Sequence, residues 1–166
     1  MKLYFCSFEI KHIGVINVAS SDKAVVFLST DNIQLINYAN KLKAELVESY
    51  ENNITVIKQL KEYFSKERKM FSLQTKFLTG TDFQKKIWNE LNNITYGKTS
   101  TYKEITSKIQ YNNAFRAVGS AISQNPIPII IPCHRVINSN GCLGGFSLGI
   151  KVKKYLLDLE KSVYTN

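Results

Sequence analysis

Along the first thirty positions apolar residues crowd into short runs, and after that they recur mostly at helical spacing. The segment "LYFCSFEIKHIGVINVASSDKAVVFLS" (3–29) is dense in β-branched and aromatic residues, with breaks at Lys11 and His12 and again at 20–23. That pattern predicts two or three hairpin-linked strands. Helical periodicity follows near 33–49 and 55–66, and "FSLQTKFLTGT" (71–81) reads as an extended link. A domain boundary belongs near 75–80, dividing the chain into 1–75 and 76–166.

The second half opens on "TDFQKKIWNELNNI", where Thr81 and Gln84 have the spacing of a capping box and Phe83, Ile87, Trp88 and Leu91 recur at helical spacing. The signal repeats in "YGKTSTYKEITSKI": Thr101 and Glu104 form a second box, Ile105 and Ile109 lie one turn apart, and Tyr102 takes the first helical position. A helix start favours anions, so the Tyr102 hydroxyl is either placed beside a phosphate or is simply part of a ring packing on Ile105. "NAFRAVGSAISQNP" reads as a helix capped by Asn113 and stopped before Pro126, with Phe115, Val118 and Ile122 on one apolar stripe. Its other side carries Arg116, Gly119, Ser120 and Ser123, a smooth face with one guanidinium. Two readings stay open here, a helix-turn-helix whose small side chains suit the minor groove and a helical hairpin with a small-residue packing face.

The run 127–131 is apolar and fenced by Pro126, Pro128 and Pro132, which predicts a buried extended segment or edge strand ending at Cys133. A cysteine there is either inert core or a nucleophile. His134 and Arg135 favour the thiolate only if the chain turns, or a water bridges, to bring them to the sulfur. Gly141, Gly144, Gly145 and Gly149 permit a tight loop and close backbone approach to a ligand. In the closing helix "IKVKKYLLDLEK" (150–161), Glu160 shares a face with Leu156 and Leu157. It needs a partner, with a histidine the natural one, unless it frays into solvent.

Charge sharpens this picture. Of the net +9, residues 1–75 supply +2 (ten Lys/Arg against eight Asp/Glu) and residues 76–166 supply +7 (twelve against five). The second half therefore suits a polyanion, although solvated lysine faces give the same balance. Three cysteines spread along the chain argue against a disulfide framework and fit a reducing compartment, and no apolar run approaches the roughly 20 residues of a membrane span. A soluble, cytoplasmic protein is expected.

"RAVGSAISQNPIPIIIPCHRVINSNGCLGGFSLG" (116–149) closely resembles the signature of the O6-alkylguanine-DNA alkyltransferases, and "FQKKIWNELNNITYGKTSTYKEI" (83–105) resembles that family's preceding segment. The likeness covers roughly 79–160, and Pro-Cys-His-Arg in this setting is specific. It implies an α/β (α+β) chain: a small strand-rich, RNase H-like N-terminal domain, then a mostly helical domain with a helix-turn-helix and a strand carrying the reactive cysteine. It implies a single-use repair protein, monomeric and without cofactor or metal, acting on double-stranded DNA that contains O6-alkylguanine. Position by position, Cys133 matches the alkyl acceptor, and His134, through a water, with Glu160 matches the relay that generates the thiolate. Tyr102 matches the residue that turns the phosphate and donates to guanine N3. Arg116 matches the finger that fills the vacated stack, on a DNA-binding face with Ala117, Gly119, Ser120 and Ser123. Asn125 matches the hinge to the reactive segment. Carbonyls of Cys133 and Val136 and the Ser147 backbone match contacts to the base, Phe146 and Leu148 match pocket positions, and Lys153 matches a supporting lysine.

Three departures stand out. Phe146 replaces a common Tyr, Leu148 a common Gly, and "ITYG" a common "IPYG". Leu148 is expected to wall the alkyl pocket and disfavour bulky groups. A DNA-binding lesion sensor and a cysteine hydrolase are the competing functions. Retention of Cys133 with His134 argues against the first, and the lack of an oxyanion device against the second.

Overall fold

The computed structural model describes residues 1–111, 114–162 and 164. Its elements in chain order are β1 (Lys2–Ile10), β2 (Gly14–Ser21), β3 (Ala24–Ser29), α1 (Asn32–Lys41), β4 (Glu45–Glu48), α2 (Ile54–Phe64), α3 (Asp82–Leu91), β5 (Ser100–Thr101), α4 (Tyr102–Lys108), α5 (Phe115–Ser123), β6 (Val136–Ile137) and α6 (Ile150–Glu160). The chain divides into two compact units, with the division after Thr79. No helix among the described residues is long and apolar enough to cross a membrane.

In the first unit β1, β2 and β3 form an antiparallel meander. The β2–β3 link is a two-residue turn in which Asp22 (φ 50°) and Lys23 (φ 68°) both lie in the left-handed region, the geometry that matches strand twist. The helix expected over 33–49 stops at Lys41, and 45–48 is instead the strand β4, parallel to β1 with Leu3 opposite Leu46. The physical reason is non-local. Lys43 turns left-handed at φ 50°, and beyond it the chain gains ladder hydrogen bonds and a packing partner on β1 that no local periodicity reveals. The sheet order is thus β3-β2-β1-β4. Leu3, Ala19, Val26 and Phe27 pack against Leu35, Tyr38 and Ala39 of α1.

In the second unit both capping boxes form. Thr81 and Gln84 close the start of α3, and Thr101 and Glu104 that of α4, so Tyr102 does occupy the first helical position. Trp88 is 1% exposed, and its Nε1 donates to Ala121 O at 2.7 Å, fixing α3 on the C-terminal half of α5. The expected cap Asn113 lies outside the described residues; Ala114 precedes α5 without a side-chain cap bond. Val118 and Ile122 are buried as the stripe requires, but Phe115 is 45% exposed, so the stripe leaves the core at its N-terminal end.

Candidate functional site

The reactive segment is not the strand its composition suggests. Residues 127–131 are buried but coiled: Ile129 has φ 74°, and Ile131 N donates back to Ile127 O at 2.9 Å. Pro126, Pro128 and Pro132 each lack the N–H a ladder would use, so the run closes on itself instead of pairing along its length. Residues Cys133–Arg135 then make one turn of 3₁₀ helix, and the strand β6 comes after the cysteine, not before it. β6 pairs in parallel with β5, Ser100 opposite Val136 and Thr101 opposite Ile137. That short ladder brings together the two segments that carry Tyr102 and Cys133.

Cys133 is 2% exposed. Its Sγ accepts from Asn125 Nδ2 at 3.1 Å, and the same amide nitrogen donates to Ile131 O at 2.9 Å. Burial pushes the thiol up to about 11, against the lowering effect of the Asn125 bond and of the Lys153 charge. Such a thiol ionises near neutral pH only if its proton has somewhere to go.

The 3₁₀ turn supplies the surroundings. His134 and Glu160 are both fully enclosed, with His134 Nε2 and Glu160 Oε1 at 2.9 Å. Arg135 Nε donates to Glu160 Oε2 and Nη2 to Oε1, both at 2.9 Å, while Nη1 donates to Ile94 O. Gly97 N donates to Oε2 as well, at 3.2 Å. Burial raises the Glu160 carboxyl, but the bonds and charges of His134 and Arg135 outweigh it and hold the group well below the usual carboxylate range. For His134, burial lowers the pKa most and the Arg135 and Lys153 charges lower it further, against the raising effect of Glu160. Burial, with the Arg135 and Lys153 charges added, thus leaves the imidazole uncharged beside Glu160. Facing an ionised carboxylate, Nε2 must be the protonated nitrogen. Nδ1, buried and without a protein partner, then carries the lone pair. The arrangement can take one proton from a neighbouring acid.

Lys153 is fully buried, and its Nζ donates to Val136 O at 2.6 Å and to Gly145 O at 3.0 Å. It lies 5.9 Å from the Tyr102 ring centroid. Burial lowers its pKa to about 8, opposed by the thiolate form of Cys133. Burial, and then the charge of an ionised Cys133, raises Tyr102, which keeps its hydroxyl a donor.

A cleft of about 430 Å³ reaches Cys133 between α4, α5 and the loop before α6, and its walls include Tyr102, Arg116, Gly119, Ser123 and Phe146. Ala117 and Ser120 are exposed on α5 but off the cleft, so the expected DNA-facing set is split between cleft and flank. Of the expected pocket set, only Phe146 is a wall. Val136, Asn125 and Lys153 are buried behind it, and Ser147 and Leu148 do not line it. Gly149 N donates to Phe146 O at 3.0 Å, which makes Ser147 and Leu148 the two corner residues of a turn and accounts for their absence from the walls. Sequence reasoning missed Phe115, Ile122 and Asn138 as walls, whereas Gly144 and Gly145, expected to let the backbone approach a ligand closely, do line the cleft. It also missed Arg135 as the clamp on Glu160, for which the signal was a guanidinium in an otherwise apolar stretch.

Residues 82–162 match the family model described as 6-O-methylguanine DNA methyltransferase, DNA binding domain. A methylated-DNA–protein-cysteine methyltransferase of Methanosarcina acetivorans is 39% identical over 165 residues, 96% of this chain and 99% of that protein. The inducible one of Bacillus subtilis is 39% identical, over 87% of this chain and 83% of that protein. The crystal structure of Mycobacterium tuberculosis O6-methylguanine methyltransferase superposes with a TM-score of 0.83 at 33% identity, covering 98% of this chain and 95% of that one. The structure of M. tuberculosis OGT in complex with DNA gives 0.84 at 32% identity, covering 95% and 93%. Matched over 96% of its length by a relative 39% identical, with a buried thiol at a cleft followed in the chain by a histidine paired with a carboxylate, the protein belongs to the methylated-DNA–protein-cysteine methyltransferase family.

Proposed function

We propose that this protein repairs DNA by moving the alkyl group of an O6-alkylguanine onto Cys133, once per molecule and irreversibly. The observation that carries the reading is the environment of Cys133: a thiol lining a cleft, bonded by Asn125, followed in the chain by a neutral histidine clamped through Glu160 and Arg135. His134 Nδ1 takes the thiol proton through a water, the sulfur attacks the alkyl carbon, and the S–C bond forms as the C–O6 bond breaks. The proton taken from the thiol is returned from His134 and replaces the alkyl group on the departing guanine, so charge and atoms balance. Tyr102, kept protonated, donates to the departing base. Displacement at a saturated carbon requires no oxyanion hole.

The target atom lies inside a duplex, so the base has to be extruded at a cost of a few kcal/mol. The small residues of α5 fit against the minor groove and Arg116 enters the stack behind the base, which offsets that cost. α4 and α5 act as the helix-turn-helix. The same reading makes 1–75 an RNase H-like domain, supported by an antiparallel β1-β2-β3 meander with β4 added in parallel after α1, and 76–166 the DNA-binding and acceptor domain. The OGT solved in complex with DNA supports DNA as partner.

Intact mass after mixing with DNA containing O6-methylguanine tests the proposal. A gain of one methylene on the Cys133 peptide, stopping at one equivalent and absent from Cys133→Ala, is the expected result. Protein that binds this DNA and stays unmodified is a lesion sensor, and the proposal fails.

A further inference from the structure

Phe115 is misplaced for a core residue. It lies three positions before Val118 and seven before Ile122, so helical spacing assigns it to the stripe that buries both. Yet Val118 is 0% exposed, Ile122 4% and Phe115 45%. An aromatic ring left in water at the first position of a helix forgoes the burial its two stripe-mates obtain. The exposed ring is not on a random face. It lines the same cleft as Cys133 and Phe146, next to Arg116 in sequence.

The cleft of about 430 Å³ has the size of sites that take small organic molecules, roughly 300–1,000 Å³. Its large rings, Phe115 on α5, Tyr102 on α4 and Phe146 on the following loop, come from three separate elements. Rings delivered to one cavity from separate elements suit a planar heterocycle, because every base offers a π-face and stacking is tolerant of its identity. We propose that Phe115 stacks on the extruded base inside the cleft and is a positioning residue for the transfer, an inference that rests on the alkyl-transfer reading. The first two residues of α5 then have separable parts: Arg116 acts on the duplex, and Phe115 on the base after it has left.

This separation sets the test. Wild type, Phe115→Ala, Phe115→Leu, Phe115→Trp and Arg116→Ala are each reacted with free O6-benzylguanine and with duplex containing O6-methylguanine, and single-turnover rates are followed by alkylation of Cys133. Removing one stacked ring is expected to slow Phe115→Ala roughly 5- to 150-fold on both substrates. Phe115→Trp should hold close to wild type and Arg116→Ala should lose on duplex alone. Phe115→Leu keeps apolar bulk, so it folds as wild type does but lacks a π-face, and it should track Phe115→Ala. The proposal is overturned if Phe115→Leu reacts as fast as wild type, which makes the ring mere apolar filling, or if the Phe115 variants lose only on duplex, which makes it a second wedge. Equilibrium binding of the free base separates this from failure of the transfer reading. A wild-type protein that binds the base but gains no alkyl group refutes transfer, and the same variants still decide the stack through their affinity for the base.

Discussion

Asn125 holds Cys133 with the same amide that holds the backbone leading to it: Nδ2 lies 3.1 Å from Sγ and 2.9 Å from Ile131 O, while Oδ1 accepts from Ile127 N at 3.0 Å. One side chain therefore fixes both ends of the coiled run and lowers the thiol's resistance to ionisation. Asn125→Ala leaves the Ile127 amide unpaired in the core, at about 1–3 kcal/mol, and takes one of two donors from the Ile131 carbonyl, which keeps Cys133 N at 2.8 Å. The expected outcome is a lower thermal midpoint together with a thiol that titrates still higher. Ultraviolet thiolate titration beside a melting curve checks both, and a melt unchanged from wild type would remove Asn125 from this role.

The Glu160 carboxylate answers His134, Arg135 and the Gly97 amide at once, and Arg135 is the one that makes its loss expensive. From sequence alone, Glu160→Gln changes only the polarisation of His134. In the structure it also strands a guanidinium that is 7% exposed. Breaking a buried pair on one side costs about 3–5 kcal/mol. Urea unfolding of Glu160→Gln should show a loss of that order, with slower single-turnover transfer by the molecules that remain folded. Equal stability would mean that Arg135 finds another partner.

What sequence reading recovered here is what is local. Thr81 with Gln84 and Thr101 with Glu104 announce two helix starts within four residues each, and Tyr102 follows from the second. Glu160 on an apolar stripe demanded a partner, and His134 is there. The remainder depends on distant pairing or on turns that composition does not encode. β4 looked helical because Leu46 finds Leu3 only across the sheet. The run 127–131 looked extended because nothing in its four isoleucines betrays Ile129 at positive φ. Phe115 fitted a buried stripe because periodicity says where a side chain points and not whether anything lies there to cover it.

Two buried groups at the site give stability opposite slopes with pH. Lys153 falls from 10.5 to about 8 on folding, so between those values the unfolded chain holds a proton that the folded one has lost, and stability rises with pH. Cys133 climbs from 9.0 to about 11, so there the folded chain holds the extra proton and stability falls with pH. Wild type should gain from pH 8 to 9, change little to 10.5, then decline. Cys133→Ala lacks the falling limb and should keep gaining up to 10.5. Urea midpoints at fixed ionic strength read this out, because the difference between the two proteins cancels groups that do not touch Cys133. Curves that stay parallel from pH 9 to 11 would refute the assignment.

Gly144, and not Leu148, walls the cleft beside Tyr102. Leu148 departs from the family's common glycine, and on that ground it was expected to crowd bulky alkyl groups. It sits instead at the corner of the 146–149 turn and is not a wall of the cleft. Gly144 is a wall, at φ +68°, and a Cβ added there would meet Tyr102 Oη at 3.0 Å and Cε2 at 3.1 Å. Alanine at that position is strained by its backbone and presses on the Tyr102 ring, proposed above to donate to the departing base. Overpacking of this kind costs on the order of 1–3 kcal/mol, and if all of it falls on the transition state the rate drops roughly 5- to 150-fold. Gly144→Ala should therefore slow methyl transfer from DNA and reaction with O6-benzylguanine alike, because Tyr102 serves both. Leu148→Gly should leave both rates at the wild-type value. Faster benzyl transfer by Leu148→Gly, with methyl transfer unchanged, would return the pocket wall to Leu148 and require the 146–149 turn to swing inward when the base enters.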